Sequence, residues 1–242
     1  MQESFFNIPN DVKVLKRQLD EQGFVQITDF IKPHIIERME AELSQLPWDM
    51  AYVLEGKTTK LAVKDVMKMP AQQQAQLFSA ITHQAAQHQY AFCYDSYMLI
   101  THYLQQTNPH SVFHQYVEAI CHPETVAFMR ELTGNRAIIK ADGQVSRYLP
   151  GHFLKSHDDN GAPVGQVRAA AYTIGLTKGW QPDWGGILHL QNAQQLIRHS
   201  LVPAFNTLTV FSVPQFHFVS QVANYCPVPR HSIVGWFRAD SQ

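Results

Sequence analysis

The sequence predicts an α+β protein, a double-stranded β-helix (jelly roll) backed by N-terminal helices. Two observations carry this. Up to residue 134 apolar positions recur mostly at helical spacing, whereas from Asn135 to 238 the chain turns β-branched and aromatic with closely spaced turn signals. Many short antiparallel strands after a helical half are the pattern of a two-sheet roll covered by helices. A third observation marks a site in the second half. His157-Asp158-Asp159 places an imidazole and a carboxylate two residues apart, on one face if they share a strand.

Residues 11–22 form a short amphipathic helix with Val12, Leu15 and Leu19 on one side, ended by Gly23. Phe24-Val25-Gln26-Ile27 alternates as a strand. Pro33 opens a second helix with a stripe of Ile35, Ile36, Met39, Leu43 and Leu46, stopped by Pro47. Residues 48–69 are irregular and lysine-rich; they read as a solvated loop or hairpin, or else as a lid over a cleft. Residues 71–89 form a helix, and the aromatic stretch 90–103 reads as a core helix. Two more helices follow at 110–121 and 123–133, the second closed by Gly134. Strands are expected near 136–148, 153–158, 167–176, 186–191, 207–213, 216–221 and 231–237. Turns fall at Asp142-Gly143, Pro150-Gly151, Asn160-Gly161, Gly185-Gly186 and Pro203. With no repeat and no Pro/Ser-rich linker, 1–242 reads as a single domain, 1–134 mainly helical support and 135–239 the jelly-roll core.

At 242 residues and 45% hydrophobic the chain can bury a full core. Its net charge of -1 gives no electrostatic footprint for nucleic acid or a membrane surface. Three cysteines without a C-x-x-C point to free thiols. The first residues lack a signal-peptide pattern and no apolar run is long enough to span a bilayer, so a cytoplasmic protein is expected.

His157 and Asp159 make up two thirds of a 2-His-1-carboxylate triad, the ligand set that holds non-haem Fe(II) with coordination positions left open. The third member must be a distant histidine, and His189, His199, His217 and His231 are the candidates. His217 stands out because a strand follows it and Arg230 lies thirteen residues further on. An arginine facing into a barrel can pair with a carboxylate through two parallel hydrogen bonds. Tyr148 can offer its hydroxyl to the same carboxylate. Arg238, at the frayed end of that strand direction, is the weaker anchor, and Arg147 should face away from Tyr148.

Taken in order, Tyr148…Phe153-Leu154…His157-Asp158-Asp159, Arg168…Leu176, Trp184-Gly185-Gly186-Ile187-Leu188, Leu201-Val202-Pro203…Asn206-Thr207-Leu208, Phe211, His217…Val219-Ser220-Gln221-Val222 and Arg230-His231-Ser232-Ile233-Val234-Gly235-Trp236-Phe237 resemble the Fe(II)- and 2-oxoglutarate-dependent dioxygenases. The resemblance is to the prolyl-hydroxylase branch, and within it to the ribosomal-protein prolyl hydroxylases. It implies iron held by His157, Asp159 and His217, with 2-oxoglutarate chelating the metal and reaching Arg230, and O2 as oxidant. The implied reaction hydroxylates an unactivated C–H, with a prolyl residue of a protein or peptide as substrate, and releases succinate and CO2. Two other readings stay open: an oxygenase of the same scaffold acting on a free amino acid or nucleic acid, and a non-enzymatic jelly-roll binding protein. Neutral charge weighs against nucleic acid. Few bases near the site, namely Lys155, Arg147 and Arg168, weigh against a free amino acid.

Overall fold

A computed structural model describes residues 4–87, 89–160 and 165–240. Helix α1 (Val12–Gln22) is capped by the Asp11 side chain, and Gly23 ends it at a φ of 79°. It leads into β1 (Phe24–Ile27), and α2 (Pro33–Leu43) follows, ending four residues before Pro47. Residues 48–69 contain the hairpin β2 (Asp49–Leu54) and β3 (Lys57–Ala62), then the short α3 (Val63–Val66). Glu55 and Gly56 both have positive φ, the conformation that lets a two-residue turn match strand twist. Most of β2 is buried and it pairs with the sheet, so this segment is an anchored hairpin more than a free loop.

Helix α4 (Ala71–Ala86) precedes β4 (Phe92–Met98) and α5 (Leu99–Leu104). The expected core helix over 90–103 is thus mostly a strand. Its aromatic and apolar residues suit a pleated surface buried on both faces, and β4 fits between neighbours instead of presenting a helical stripe. Helices α6 (Val112–Ile120) and α7 (Pro123–Thr133) follow as expected, with Gly134 closing α7 at a φ of 71°.

The second half holds β5 (Lys140–Ala141), β6 (Gln144–Tyr148), β7 (Phe153–His157), β8 (Arg168–Gly175), β9 (Leu188–Gln191), β10 (Ile197–Leu201), β11 (Leu208–Ser212), β12 (His217–Val219) and β13 (Arg230–Arg238). Strand β10 lies where no strand is expected, between 191 and 207: it pairs with β9 at the end of the sheet, where largely exposed residues leave little sequence signal. Among the described residues the strand order is β1-β11-β8-β13-β6-β4-β7-β12-β9-β10, with β2 and β3 added beside β4 and β5 beside β13. This curled antiparallel sheet is the double-stranded β-helix.

Alternation along its strands divides two environments. Ile233 and Phe237 of β13, Tyr172 and Ile174 of β8 and Leu208 and Val210 of β11 pack against α1, α2, α6 and α7. The intervening Arg230, Val234 and Trp236 of β13 and Phe211 of β11 face a cavity between the two walls of the roll. The layers are pinned by Asn206, whose side chain accepts from Ile31 N (2.8 Å) and donates to Ile31 O (2.7 Å) inside the core. Asn206 itself has a φ of 53°, which an asparagine tolerates better than most residues. Asn206→Ala strands both buried Ile31 groups and is expected to destabilise the fold by about 2–4 kcal/mol, read as a lowered denaturant midpoint at unchanged m-value.

Candidate active site

Residues from both walls line a cavity of about 540 Å³ that includes Tyr148, His157, Asp159, His217 and Arg230. Strand β12 lies antiparallel to β7 with His217 directly opposite His157, so residues sixty positions apart stand side by side with ring centroids 4.2 Å apart. Asp159 does not continue the β7 face. The strand ends at His157, and Asp159 swings back through a φ of 63° to bring its carboxylate under the two rings. One ligand atom from each of the three lies within 4.8 Å of the others.

The hydrogen-bond pattern orients both rings. His157 Nδ1 lies 3.0 Å from Lys155 O and His217 Nδ1 lies 2.7 Å from Gln215 O. A carbonyl only accepts, so each Nδ1 carries its hydrogen and each Nε2 turns a lone pair inward. Those Nε2 atoms lie 3.4 Å (His157) and 3.7 Å (His217) from the two Asp159 carboxylate oxygens. Burial, reinforced by neighbouring His157, lowers the His217 pKa to about 4, which keeps its imidazole neutral. Burial works to raise the Asp159 pKa, but the flanking His157 and His217 rings and the Trp236 N–H outweigh it and hold the carboxyl below its ordinary value. Two imidazole nitrogens and one carboxylate converge here.

Arg230 opens β13, opposite Tyr148 on β6. It is 3% exposed, its Nε has no partner, and among the described residues no carboxylate pairs with it. Its guanidinium carbon lies 5.3 Å from the centre of the Tyr148 ring, which in turn stacks on Tyr94. Gly186 (φ 61°) gives the arginine room, since a Cβ there would come within 2.9 Å of Arg230 Cδ.

The other histidine candidates lie elsewhere. His189 stacks on Phe218 and bonds Ser200, His199 rests on Phe24, and His231 packs on Trp48 across β13 from Arg230. Arg147 faces away as expected, paired with Asp95. Arg238 is not frayed: it is buried and pairs with Asp142 and Asp240. Four lining residues escape the motif reading in their roles. Tyr90 sits 5.7 Å from the His157 ring, Tyr94 stacks on Tyr148, and Arg168 and Trp236 contact Asp159. Arg168 and Trp236 stand within recognisable motif segments, whereas the two tyrosines fall in the stretch whose strand character was hidden.

The sequence profile of the 2OG-Fe(II) oxygenase superfamily matches residues 143–238, from the turn before β6 to the last residue of β13. Residues 143–238 form a 2OG-Fe(II) oxygenase domain. This stretch gives the enzyme its oxygenase chemistry, which uses Fe(II), 2-oxoglutarate and O2. No curated protein sequence matches it. Solved structures that share its fold include a prolyl-4-hydroxylase from Pseudomonas putida (18% identity, TM-score 0.60, covering 94% of this chain and 98% of that one). An oxidoreductase of the 2OG-Fe(II) oxygenase family from Burkholderia pseudomallei matches at 16% identity and TM-score 0.61, covering 100% of this chain and 97% of that one. A prolyl hydroxylase from Trichoplax adhaerens, in complex with a hypoxia inducible factor oxygen degradation domain peptide fragment, matches at 15% identity and TM-score 0.62, covering 93% of this chain and 88% of that one. Among the described residues no helix of the oxygenase is long and apolar enough to cross a membrane. All three cysteines are free, and burial pushes the Cys93 thiol up to about 12.

The Arg238 pairs make a prediction about the oxygenase fold. Arg238→Ala leaves Asp142 without its cation and Asp240 with only the half-exposed Lys140, and is expected to lower the melting temperature by several degrees. The measurement is thermal unfolding by circular dichroism, with Lys140→Ala as the milder control because Lys140 is half exposed and pairs only with Asp240.

Proposed function

We propose that the oxygenase hydroxylates a prolyl residue within a protein or peptide. His157, Asp159 and His217 would hold Fe(II), and Arg230 with Tyr148 would anchor 2-oxoglutarate. The observation that carries the residue roles is the pairing, in one cavity, of two inward-facing Nε2 atoms and a carboxylate with a buried guanidinium that lacks a counter-ion. A buried, unpaired cation is costly, and a dianionic keto acid reaching from the metal would offset that cost. The donor set suits the metal: imidazole and carboxylate on one face, with the remaining positions open to the cavity. When bound, iron and the keto acid supply the oxidising chemistry, with succinate and CO2 released. The chain's own residues do the rest. The carbonyls of Lys155 and Gln215 fix the imidazole orientations, Arg230 sets the keto acid's direction, and Phe211, Leu188 and Val219 keep the inner wall apolar.

The peptidyl reading draws on the shape of the mouth. A second cavity of about 740 Å³ adjoins the first through Thr58, Phe92, Tyr94, Gln144, Val234 and Trp236, and runs out past Met98, Ile100 and Leu104. A free amino acid needs paired charges at close quarters, whereas a largely apolar groove leading to the site suits a length of polypeptide. The hairpin β2–β3 brings Thr58 to the rim of both cavities and can close on such a chain. The prolyl hydroxylase from Trichoplax adhaerens, held with a peptide, offers a parallel. We further take 1–242 as a single domain acting in the cytoplasm, since strands of both halves pair within one sheet.

The test is succinate release with intact-mass detection of one added oxygen, comparing free L-proline with proline-containing peptides from ribosomal proteins. Stimulation by peptides is expected; stoichiometric hydroxylation of free proline and of no peptide would reject the peptidyl reading alone. Changing His157, Asp159 or His217 to Ala should abolish turnover. Arg230→Ala should raise the 2-oxoglutarate requirement on the order of a hundredfold.

A further inference from the structure

We propose that Trp236 and Arg168 are positioning residues for Asp159, together confining its carboxylate to metal binding through Oδ1 alone. The inference rests on the reading that the triad holds Fe(II). The Trp236 indole Nε1–H donates to Asp159 Oδ2 at 2.8 Å, a directed bond to a charged acceptor. Oδ1 has no such donor, for the nearest Arg168 nitrogen is 3.6 Å away, beyond hydrogen-bond distance. Each oxygen faces one imidazole, Oδ1 at 3.4 Å from His157 Nε2 and Oδ2 at 3.7 Å from His217 Nε2, so the Trp236 bond is what distinguishes them. One oxygen is thereby occupied by the protein and the other is left for the metal.

Arg168 completes the clamp from the far side. Its Nη1 donates to the Asp159 main-chain carbonyl at 3.1 Å, which holds the left-handed turn that aims the carboxylate inward. Its guanidinium lies 3.8 Å from the centre of the Trp236 ring, a contact that fixes the indole plane. Trp236 is itself held from behind. Its N–H donates to Asp142 Oδ1 (3.1 Å) and its carbonyl accepts from Asp142 N (3.0 Å). The preceding Gly235 permits this approach, because any Cβ there would collide with the Asp142 carbonyl oxygen. The clamp thus runs from the Asp142 turn through Trp236 to the carboxylate. A carboxylate held to one oxygen takes a single coordination position, which leaves three for the keto acid and O2.

The test uses Mn(II) and Co(II) on the full chain without O2. Trp236→Phe keeps the ring under Arg168 and removes only the N–H. It should weaken Mn(II) binding, read from the electron paramagnetic resonance signal of free Mn(II), by roughly 10- to 100-fold, the usual cost of losing a partner that orients a metal ligand. It should also alter the Co(II) d–d absorption, because the carboxylate is free to bind through both oxygens. Arg168→Gln should weaken Mn(II) binding in the same direction by a smaller factor, and it decides the matter should Trp236→Phe fail to fold. A purely structural role would lower the metal-free melting temperature and leave both metal readouts alone. A Kd within about twofold of wild type, or an unaltered Co(II) spectrum, in folded Trp236→Phe overturns the proposal. If wild type binds no Mn(II), or Asp159→Ala binds it equally well, the metal reading itself fails and takes this inference with it.

Discussion

The site depends on the register of β12 against β7. His217 must stand opposite His157, and nothing local in either strand dictates that match. A slip of one residue would turn His217 out of the cavity and bring Phe218 or Phe216 in, because side chains alternate faces. The register is held from three sides. Strand β9 pairs with the other edge of β12, the Gln215 side chain donates to Phe216 O and to Gln191 O, and Ser220 Oγ accepts from Ile187 N. The three-residue strand that carries the second imidazole is thus tied at both ends, and the geometry of the triad follows from those ties.

The second constraint is electrostatic. The cavity confines two carboxylates, two imidazoles and two guanidiniums within mostly apolar walls, and it keeps Arg230 apart from the acids. Arg168 bonds the Asp159 carbonyl, covers the Trp236 ring and lies 3.6 Å from Asp159 Oδ1. Arg230 lies over Tyr148 with no acid paired to it among the described residues, and burial pulls it below its ordinary pKa. If Asp159 met Arg230 directly, both the proposed metal ligand and the proposed anchor would be lost. Their separation on different strands preserves a place for a cation and a place for an anion in one enclosure.

Much of this is legible in the sequence, for definite reasons. The α-helices announce themselves by apolar stripes and by Gly23 and Gly134 at their ends, and the roll by β-branched segments between turn signals. The H-x-D, the strand after His217 and the arginine beyond it are short-range patterns that survive without coordinates. Other features are hidden for physical causes. From Phe92 to Met98 the strand is buried on both faces, so hydrophobicity does not alternate and the run resembles a core helix. Strand β10 is exposed and at the sheet edge, so it has no pattern at all. Asp159 reaches the site by a left-handed turn, not by strand alternation. Arg238 sits near the C-terminus, yet Asp142 and Asp240 bury it, an arrangement visible only once β13 lies beside the Asp142 turn.

The central claim is that the triad and the unpaired Arg230 form one compartment for metal and keto acid together. The most direct measurement is anaerobic titration of Fe(II)-loaded protein with 2-oxoglutarate, followed by the visible charge-transfer absorption of a metal-chelated keto acid. The account predicts a band that saturates at one keto acid per chain and requires far more ligand to appear in Arg230→Ala. Absence of the band in wild type, or a titration indifferent to Arg230, would contradict it.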